Sequence, residues 1–218
     1  MTIAYETRHE AGTSLPIHRH ARGYAALVLE GGYEELTVEG RFACTPGMMV
    51  VHPDWHAHGD QFGRGGAVVL NLPAPLADGF SVIRVADPSA LERLARRDAA
   101  RAAHAAAEEA DRVLPLAAAE WLVAFTHLLA AKPWAPVEEL AASCGVSAEH
   151  AARACKRWFG LGPVQLRKER RLQTAIALLR AGASPASAAQ EAGFADQPHL
   201  TRLLRQATGY TPARFPLA

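Results

Sequence analysis

The chain has 218 residues, half of them apolar, and a formal net charge of +1. That length fits one large domain or two small ones and is enough to bury a core. No apolar run is long enough to cross a membrane, and Cys44, Cys144 and Cys155 lack metal-type spacing, so a disulfide framework is not expected and a reducing cytoplasm fits better.

The near-neutral total hides a division. From Trp134 onward there are 11 Lys and Arg against 6 Asp and Glu, whereas the preceding residues hold 12 basic against 16 acidic. A basic C-terminal part attracts a polyanion. Histidine is uneven in the other direction: His9, His18, His20, His52, His56 and His58 all fall in the first third. Met1 to Glu6 carries no basic stretch followed by an apolar one, so no signal peptide is expected.

Residues 1 to about 85 read as short strands. Tyr24 to Leu29, Tyr33 to Val38, Met48 to His52 and Ala67 to Leu72 are apolar or rich in β-formers. Glycine and proline punctuate them at Gly31-Gly32, Gly40, Pro46-Gly47, Pro53 and Gly63 to Gly66, which predicts breaks there. Many short strands with such turns point to a sandwich or small barrel.

The pattern changes at Pro88. Ser89 with Glu92 three residues on predicts a capping box, opening an alanine-rich helix to about Ala110. A second helix is predicted over Leu116 to Ala131. It is apolar over much of its circumference through Trp121, Leu122, Phe125, Leu128 and Leu129, so it is expected to be buried in the chain or against a partner. Lys132 to Pro136 reads as a short linker. The expected division is therefore a barrel over 1–85, a helical region over 86–133 that serves as linker or dimerisation element, and a third part over 134–218.

From Val137 the chain reads as wholly helical. Val137 to Ser143 is a supporting helix, Gly145 a turn, and Ser147 the hydroxyl cap of a following helix that ends near Phe159. A long helix begins at Pro163, a favoured first-turn residue, and ends before Gly182. Leu172, Ala175, Ile176 and Leu179 give it one buried stripe. A second supporting helix leads to Ala192-Gly193-Phe194, and Pro198 starts the helix after it. Two helix-turn-helix units thus flank one linking helix.

Ala151, Ala154, Cys155 and Trp158 face inward on the first recognition helix, and Leu200, Leu203, Leu204 and Ala207 on the second. Recognition helices present their N-terminal residues to base edges and use other cations on phosphates. Glu149, His150, Arg153, His199 and Arg202 are accordingly the base-reader candidates. Arginine pairs bidentately with guanine, and Glu149 accepts from cytosine. Lys156, Arg157, Gln197, Thr201 and Arg205 are assigned to phosphates. A fixed linking helix would set the two readers into major grooves roughly 34 Å apart. A lone helix with such cations would more simply be a solvated face; the doubled unit favours DNA.

Residues 137–215 resemble the DNA-binding domain of the AraC/XylS family of transcription regulators. The matching motifs are Gly145-Val146-Ser147, Gly160-Leu161-Gly162-Pro163, Arg171-Leu172 with Ala175 and Leu178-Leu179, Ala192-Gly193-Phe194, and Gly209-Tyr210-Thr211-Pro212. The resemblance implies a cytoplasmic regulator of promoter DNA, contacting RNA polymerase if it activates.

The N-terminal motifs resemble a cupin barrel, the usual sensor fold in one branch of that family. His18-Arg19-His20 matches the opening HxH, Tyr24 stands where a glutamate is common, and Gly31 matches the next glycine. Gly47, Pro53 and His58 match the second motif, with Trp55 replacing its usual glycine. His18, His20 and His58 are therefore the candidate metal ligands, with Tyr24 or Asp60 completing the set. Three imidazoles suit zinc, iron, nickel or copper, and an open fourth position admits water or ligand. Tyr24, Trp55 and Phe62 are the candidate apolar walls for a small organic effector. His52 and His56, without motif support, read as surface or packing residues.

The expected fold is thus an N-terminal all-β cupin-like barrel followed by helices, then a C-terminal all-α double helix-turn-helix. The expected function is sequence-specific DNA binding, regulated by a small molecule or metal in the barrel, in a chain that is not an enzyme and that pairs as a homodimer if the 86–133 region dimerises it. Two rivals remain open on sequence. One is a three-histidine cupin oxygenase or isomerase with an appended DNA domain, against which no carboxylate pair is apparent beside the histidines. The other is a ligand-independent regulator whose barrel only dimerises.

Overall fold

The computed structural model describes residues 3–73, 79–108 and 111–216, with the side chains of Pro73 and Ala107 left out of that description. The expected helix end at Ala110 lies outside these residues. The chain forms two compact units, Met1–Ala117 and Ala118–Ala218. The 86–133 region is shared between them.

The first unit holds seven strands: β1 (Tyr5–His9), β2 (Ser14–Arg19), β3 (Tyr24–Thr37), β4 (Arg41–Cys44), β5 (Met48–His52), β6 (Ala57–Pro73) and β7 (Ser81–Arg84). All named pairings are antiparallel. The long strands β3 and β6 lie side by side, and each half of each recruits a different partner. Tyr24 to Leu27 pairs with β5, and Tyr33 to Leu36 pairs with β4. Ala57 to Gln61 pairs with β2, and Ala67 to Asn71 pairs with β1. β7 extends the sheet through β5.

The predicted breaks at Gly31-Gly32 and Gly63 to Gly66 are instead irregularities within continuous strands, with register shifts between Val28 and Glu30 and between Gly31 and Tyr33. Gly31 and Gly66 face each other with φ of 70° and 65°, and a Cβ on Gly31 would collide with the Gly66 carbonyl oxygen. Glycine lets both backbones take that conformation and approach, so the ladder bends and continues.

Alternation along β3 divides the core. Ala26, Val28 and Tyr33 join Phe42, Cys44, Val50, Phe62 and Val69 in one cluster. Ala25 and Leu27 join Met49, Leu70, Leu72 and Ile83 in the other. Two helices cover the second cluster: α1 (Pro88–Ala95) through Leu91 and Ala95, and α2 (Ala99–Ala107) through Ala99, Ala102, Ala103 and Ala106. Alanines keep α2 close to the sheet, so this alanine-rich stretch packs within its own unit.

The cap of α1 is Asp87, whose carboxylate accepts from the Ala90 N–H at 2.8 Å, and the Ser89–Glu92 box does not form. Asp98 caps α2 in the same way, accepting from Arg101 at 3.0 Å, and this splits the single helix expected here into two. Residues 111–116 run extended. Arg84 donates to Asp111, Val113 to Val82 and Leu116 to Arg41, at 2.9, 2.8 and 2.7 Å. Leu116, expected to open a helix, is tied to the sheet.

The second unit is helical: α3 (Glu120–Ala131), α4 (Val137–Ser143), α5 (Ala148–Phe159), α6 (Pro163–Arg180), α7 (Pro185–Glu191) and α8 (Gln197–Thr208). α3 buries Leu122, Phe125, Thr126 and Leu129 and packs against α4, α5 and α6. Leu172, Ala175, Ile176 and Leu179 form the buried stripe of α6, as their spacing predicts. The Lys132 to Pro136 stretch lies inside this unit. Arg167 donates to the Pro133 carbonyl at 3.0 Å, and the Arg171 guanidinium lies 5.1 Å from the Trp134 ring.

Candidate functional site

In the first unit, strands β2, β3 and β6 gather the predicted histidines. His18 on β2 is the direct register partner of His58 on β6. Their ring centroids lie 4.4 Å apart, and His20 lies 5.0 Å from His18 and 5.4 Å from His58. The ligand nitrogens of these three all fall within 4.8 Å of one another. His18 Nδ1 is 2.9 Å from the Pro16 carbonyl, which only accepts, so Nδ1 carries the proton and Nε2 the lone pair. A backbone partner of this kind is what orients metal-ligating histidines. Three imidazole nitrogens with converging positions fit a divalent transition metal.

Burial, and then the charges of His18, His56 and His20, push the His58 imidazole down to about 2, so it is a neutral ligand at any ordinary pH. Tyr24 reaches His58 Nε2 with its hydroxyl at 3.1 Å. Burial, followed by the negative charge of Glu35, holds the Tyr24 phenol well above its ordinary value, so it stays protonated and donates. The cavity beside these groups has a volume of about 310 Å³ and is lined by His18, His20, Tyr24 and Phe62, with Tyr5, Tyr33, Glu35, Asp60 and Asn71. Trp55 is not among the lining residues. It is buried in the turn between β5 and β6, with φ of 63°, in the very conformation that the motif's usual glycine adopts freely.

Two further histidines join the cluster. His52 and His56, read from sequence as surface or packing residues, are buried beside His58 and form a second triad with it. The turn brings them together: the His56 N–H donates to the Pro53 carbonyl at 3.2 Å. Two carboxyls also lie here, contrary to expectation. Glu35 on β3 and Asp60 on β6 are register partners and both are buried. Burial, and then the charge of Asp60, holds Glu35 well above its ordinary value; burial pushes Asp60 up to about 6. Both carboxyls are therefore held toward their protonated forms. A signal for Glu35 existed in the alternation of Tyr33, Glu35 and Thr37, which places it on an inward face. His56 had none, because its position depends on the turn.

In the second unit the helix-turn-helix geometry is formed twice. α4 and α5 are joined through Gly145 with φ of 71°, and α7 and α8 through Gly193 with φ of 74°. Ser147 caps α5, accepting from the His150 N–H at 3.1 Å, and Asp196 caps α8, accepting from the His199 N–H at 2.6 Å. Pro198 stands in the first turn of α8. On α5 the exposed residues include Glu149, His150, Arg153, Lys156 and Arg157; on α8 they include Gln197, Arg202 and Arg205. His199 and Thr201 are half-buried, the His199 ring standing edge-on to Phe194 at 5.3 Å. The His150 ring lies 5.0 Å from Trp121 of α3.

Three arginines of α6 face inward to the protein's own backbone. Arg167 donates to Pro133, Arg170 to Thr126 at 2.9 Å and Arg171 to Gly193 at 3.0 Å. Arg171 also lies 5.7 Å from the Phe194 ring, so one guanidinium secures the turn of the second unit. Part of the basic excess counted in the sequence is thus structural.

Residues 140–216 match a family described as a helix-turn-helix domain. Among solved structures, the chain is similar to ToxT from Vibrio cholerae, at 7% identity over 97% of this chain and 95% of that one, with a TM-score of 0.45. It is similar to an AraC-type DNA-binding transcriptional regulator from Chromobacterium violaceum, at 26% identity over 43% of this chain and 86% of that one, with a TM-score of 0.38. A variant of salicylate 1,2-dioxygenase from Pseudoaminobacter salicylatoxidans matches at 18% identity over 31% of this chain and 21% of that one, with a TM-score of 0.30. No curated protein matches.

Proposed function

We propose that this chain, whose residues 140–216 form an AraC-type helix-turn-helix domain, is a sequence-specific transcription regulator that answers to an effector held in its N-terminal barrel. The observation that carries the reading is the doubled unit: two capped helices, α5 and α8, each with exposed basic residues. Glu149, His150, Arg153, His199 and Arg202 are assigned to base edges, and Lys156, Arg157, Gln197, Thr201 and Arg205 to phosphates. The half-buried His199 would read bases through the ring edge that Phe194 leaves open.

The effector site is the cavity at His18, His20 and His58. A transition metal held there would supply a Lewis-acid centre for an anionic or carbonyl-bearing ligand, and Tyr24 and Phe62 would form its organic walls. Sensing is assigned to 1–85 with its packed helices, and DNA reading to 134–218. Promoter DNA is the partner. Among the described residues no helix is long and apolar enough to cross a membrane.

Selection of duplexes from a random library by the full-length protein tests the regulator reading. The expected result is an enriched sequence bound at least a thousandfold more tightly than scrambled duplex at physiological salt. Equal affinity for both would overturn it. One observation favours a second reading, a metal-dependent enzyme: the Glu35–Asp60 pair is an acid/base set beside the histidines. Turnover of candidate substrates by metal-loaded protein would support that reading.

A further inference from the structure

The deepest part of the histidine cluster lies outside the HxH motif. His52, His56 and His58 are 3%, 5% and 1% exposed, and their ligand nitrogens all lie within 4.8 Å of one another. Inside the triad, His52 Nδ1 and His56 Nδ1 are 3.4 Å apart. Two nitrogens bound to one tetrahedral zinc at 2.0–2.1 Å are separated by about 3.4 Å. The pair already has that spacing before any ion enters.

The outer nitrogens of the same two rings face carboxyl groups. His56 Nε2 is 3.1 Å from Glu39 Oε2. A carboxylate only accepts, so Nε2 carries the His56 proton, and the lone pair of the neutral ring is on Nδ1, toward His52. His52 Nε2 faces Glu35 Oε1 at 3.8 Å. For His56, a carboxylate behind the outer nitrogen is the arrangement that fixes tautomer and ring direction at metal sites.

The backbone supports the same convergence. His52 ends β5 and His56 precedes β6, and the three residues between them turn through Trp55 in a left-handed conformation. Such strain persists only where surrounding structure holds it, and it concentrates at functional sites. Here it brings two imidazoles together, their ring centroids 5.6 Å apart and their planes tilted by 41°.

We propose that His52, His56 and His58 form a second, buried binding site for a divalent ion of the zinc class, with Glu39 as the carboxylate that orients His56. The site is distinct from the His18–His20 pair at the cavity, shares only His58 with it, and does not depend on the DNA-binding reading.

The test is titration of the full-length metal-free protein with Co²⁺, followed by its visible ligand-field absorption, with Zn²⁺ competition for affinity. Four proteins are compared: wild type, His18→Ala/His20→Ala, His52→Ala/His56→Ala and Glu39→Gln. The expected result is tetrahedral Co²⁺ absorption in the His18→Ala/His20→Ala protein, which lacks the cavity site, and loss of that same absorption component in the His52→Ala/His56→Ala protein, which keeps at most the absorption of the cavity site. Glu39→Gln should weaken binding by roughly 10–100-fold at unchanged stoichiometry. Because Glu39 is exposed at the surface, that variant answers the question even if the double alanine variant does not fold. Absence of Co²⁺ binding in wild type overturns the proposal. So does absence of Co²⁺ binding in the His18→Ala/His20→Ala protein while Glu39→Gln has no effect, or an absorption component there that is unchanged by loss of His52 and His56. Duplex binding measured on the same samples separates the two readings: loss of metal with intact sequence selection counts only against the buried site.

Discussion

Trp55 combines two opposing contributions in one residue. Its backbone sits at φ of 63°, a region that costs an L-residue roughly 1–2 kcal/mol. Its indole is buried, and truncating a buried Trp costs about 3–5 kcal/mol. Burial wins, so both Trp55→Gly and Trp55→Ala should destabilise the first unit. Their order should be inverted, however. At an ordinary site Gly is about 0.5–1 kcal/mol worse than Ala; here Gly should be better by about 1 kcal/mol, because only Ala keeps the strain. Urea unfolding of both variants decides it, and a more stable Ala variant would mean that the turn abandons its left-handed residue. Glu35 gives a second prediction at this scale. In metal-free protein it keeps a proton above 4.5 that the unfolded chain releases, so stability falls as pH rises until the folded value is passed. His52 and His58 act oppositely: the unfolded chain takes up protons below 6.5 that the native rings exclude, so stability falls as pH drops below that value. The two contributions oppose each other: Glu35 favours the folded state less as pH rises above 4.5, and His52 and His58 favour it more as pH rises through 6.5. Glu35→Gln should remove the Glu35 contribution, so the stability of wild type relative to the variant should fall as pH rises above 4.5, and a difference that does not change with pH would refute the buried protonated carboxyl. The inward face of Glu35 was legible from alternation; the burial of His56 was not, because it depends on a backbone conformation that tryptophan rarely adopts.

At the scale of elements, strands and helices were read with unequal success, and for physical reasons. The α4–α5 and α7–α8 units were legible because each carries its own start and turn signals: Ser147 and Pro198 at the helix starts, Gly145 and Gly193 in the turns. Gly31 and Gly66 misled the reading because a glycine pair that breaks an isolated strand can bend a paired one. Asp98 was missed because an N-cap inside an alanine-rich run competes with strong helix propensity on both sides. The exposed face of α8 yields a prediction that separates specificity from affinity. Arg202→Ala should lower the ratio of selected to scrambled duplex binding by roughly 5- to 150-fold, as loss of one base contact does. Arg205→Ala should weaken both duplexes alike and reduce the slope of log affinity against log salt by about one. Competition binding at several salt concentrations distinguishes them, and the opposite pattern would exchange the two assignments.

For the whole molecule, the charge division sets a basic C-terminal part against the rest, but it overstates the charge available to a polyanion, since Arg167, Arg170 and Arg171 are held by the protein's own carbonyls. A count of basic residues sees charge and not partners. A regulator built from a sensing unit and a reading unit also obeys a constraint that no single residue shows. A bound ion can change DNA affinity only through a difference in its affinity for the free and DNA-bound protein. The coupling is then reciprocal: whatever factor Co²⁺ applies to duplex binding, the duplex must apply to Co²⁺ binding. If metal in the barrel is the effector, that factor is expected in the range of about 5- to 150-fold. Measuring duplex affinity with and without saturating Co²⁺, and Co²⁺ affinity with and without saturating selected duplex, closes the cycle. The His18→Ala/His20→Ala protein assigns the coupling: its loss there places the effector at the cavity, and its persistence places it at the buried triad. A duplex affinity that shifts with Co²⁺ while Co²⁺ affinity ignores the duplex would mean that the ion acts by some route other than specific binding to the folded chain.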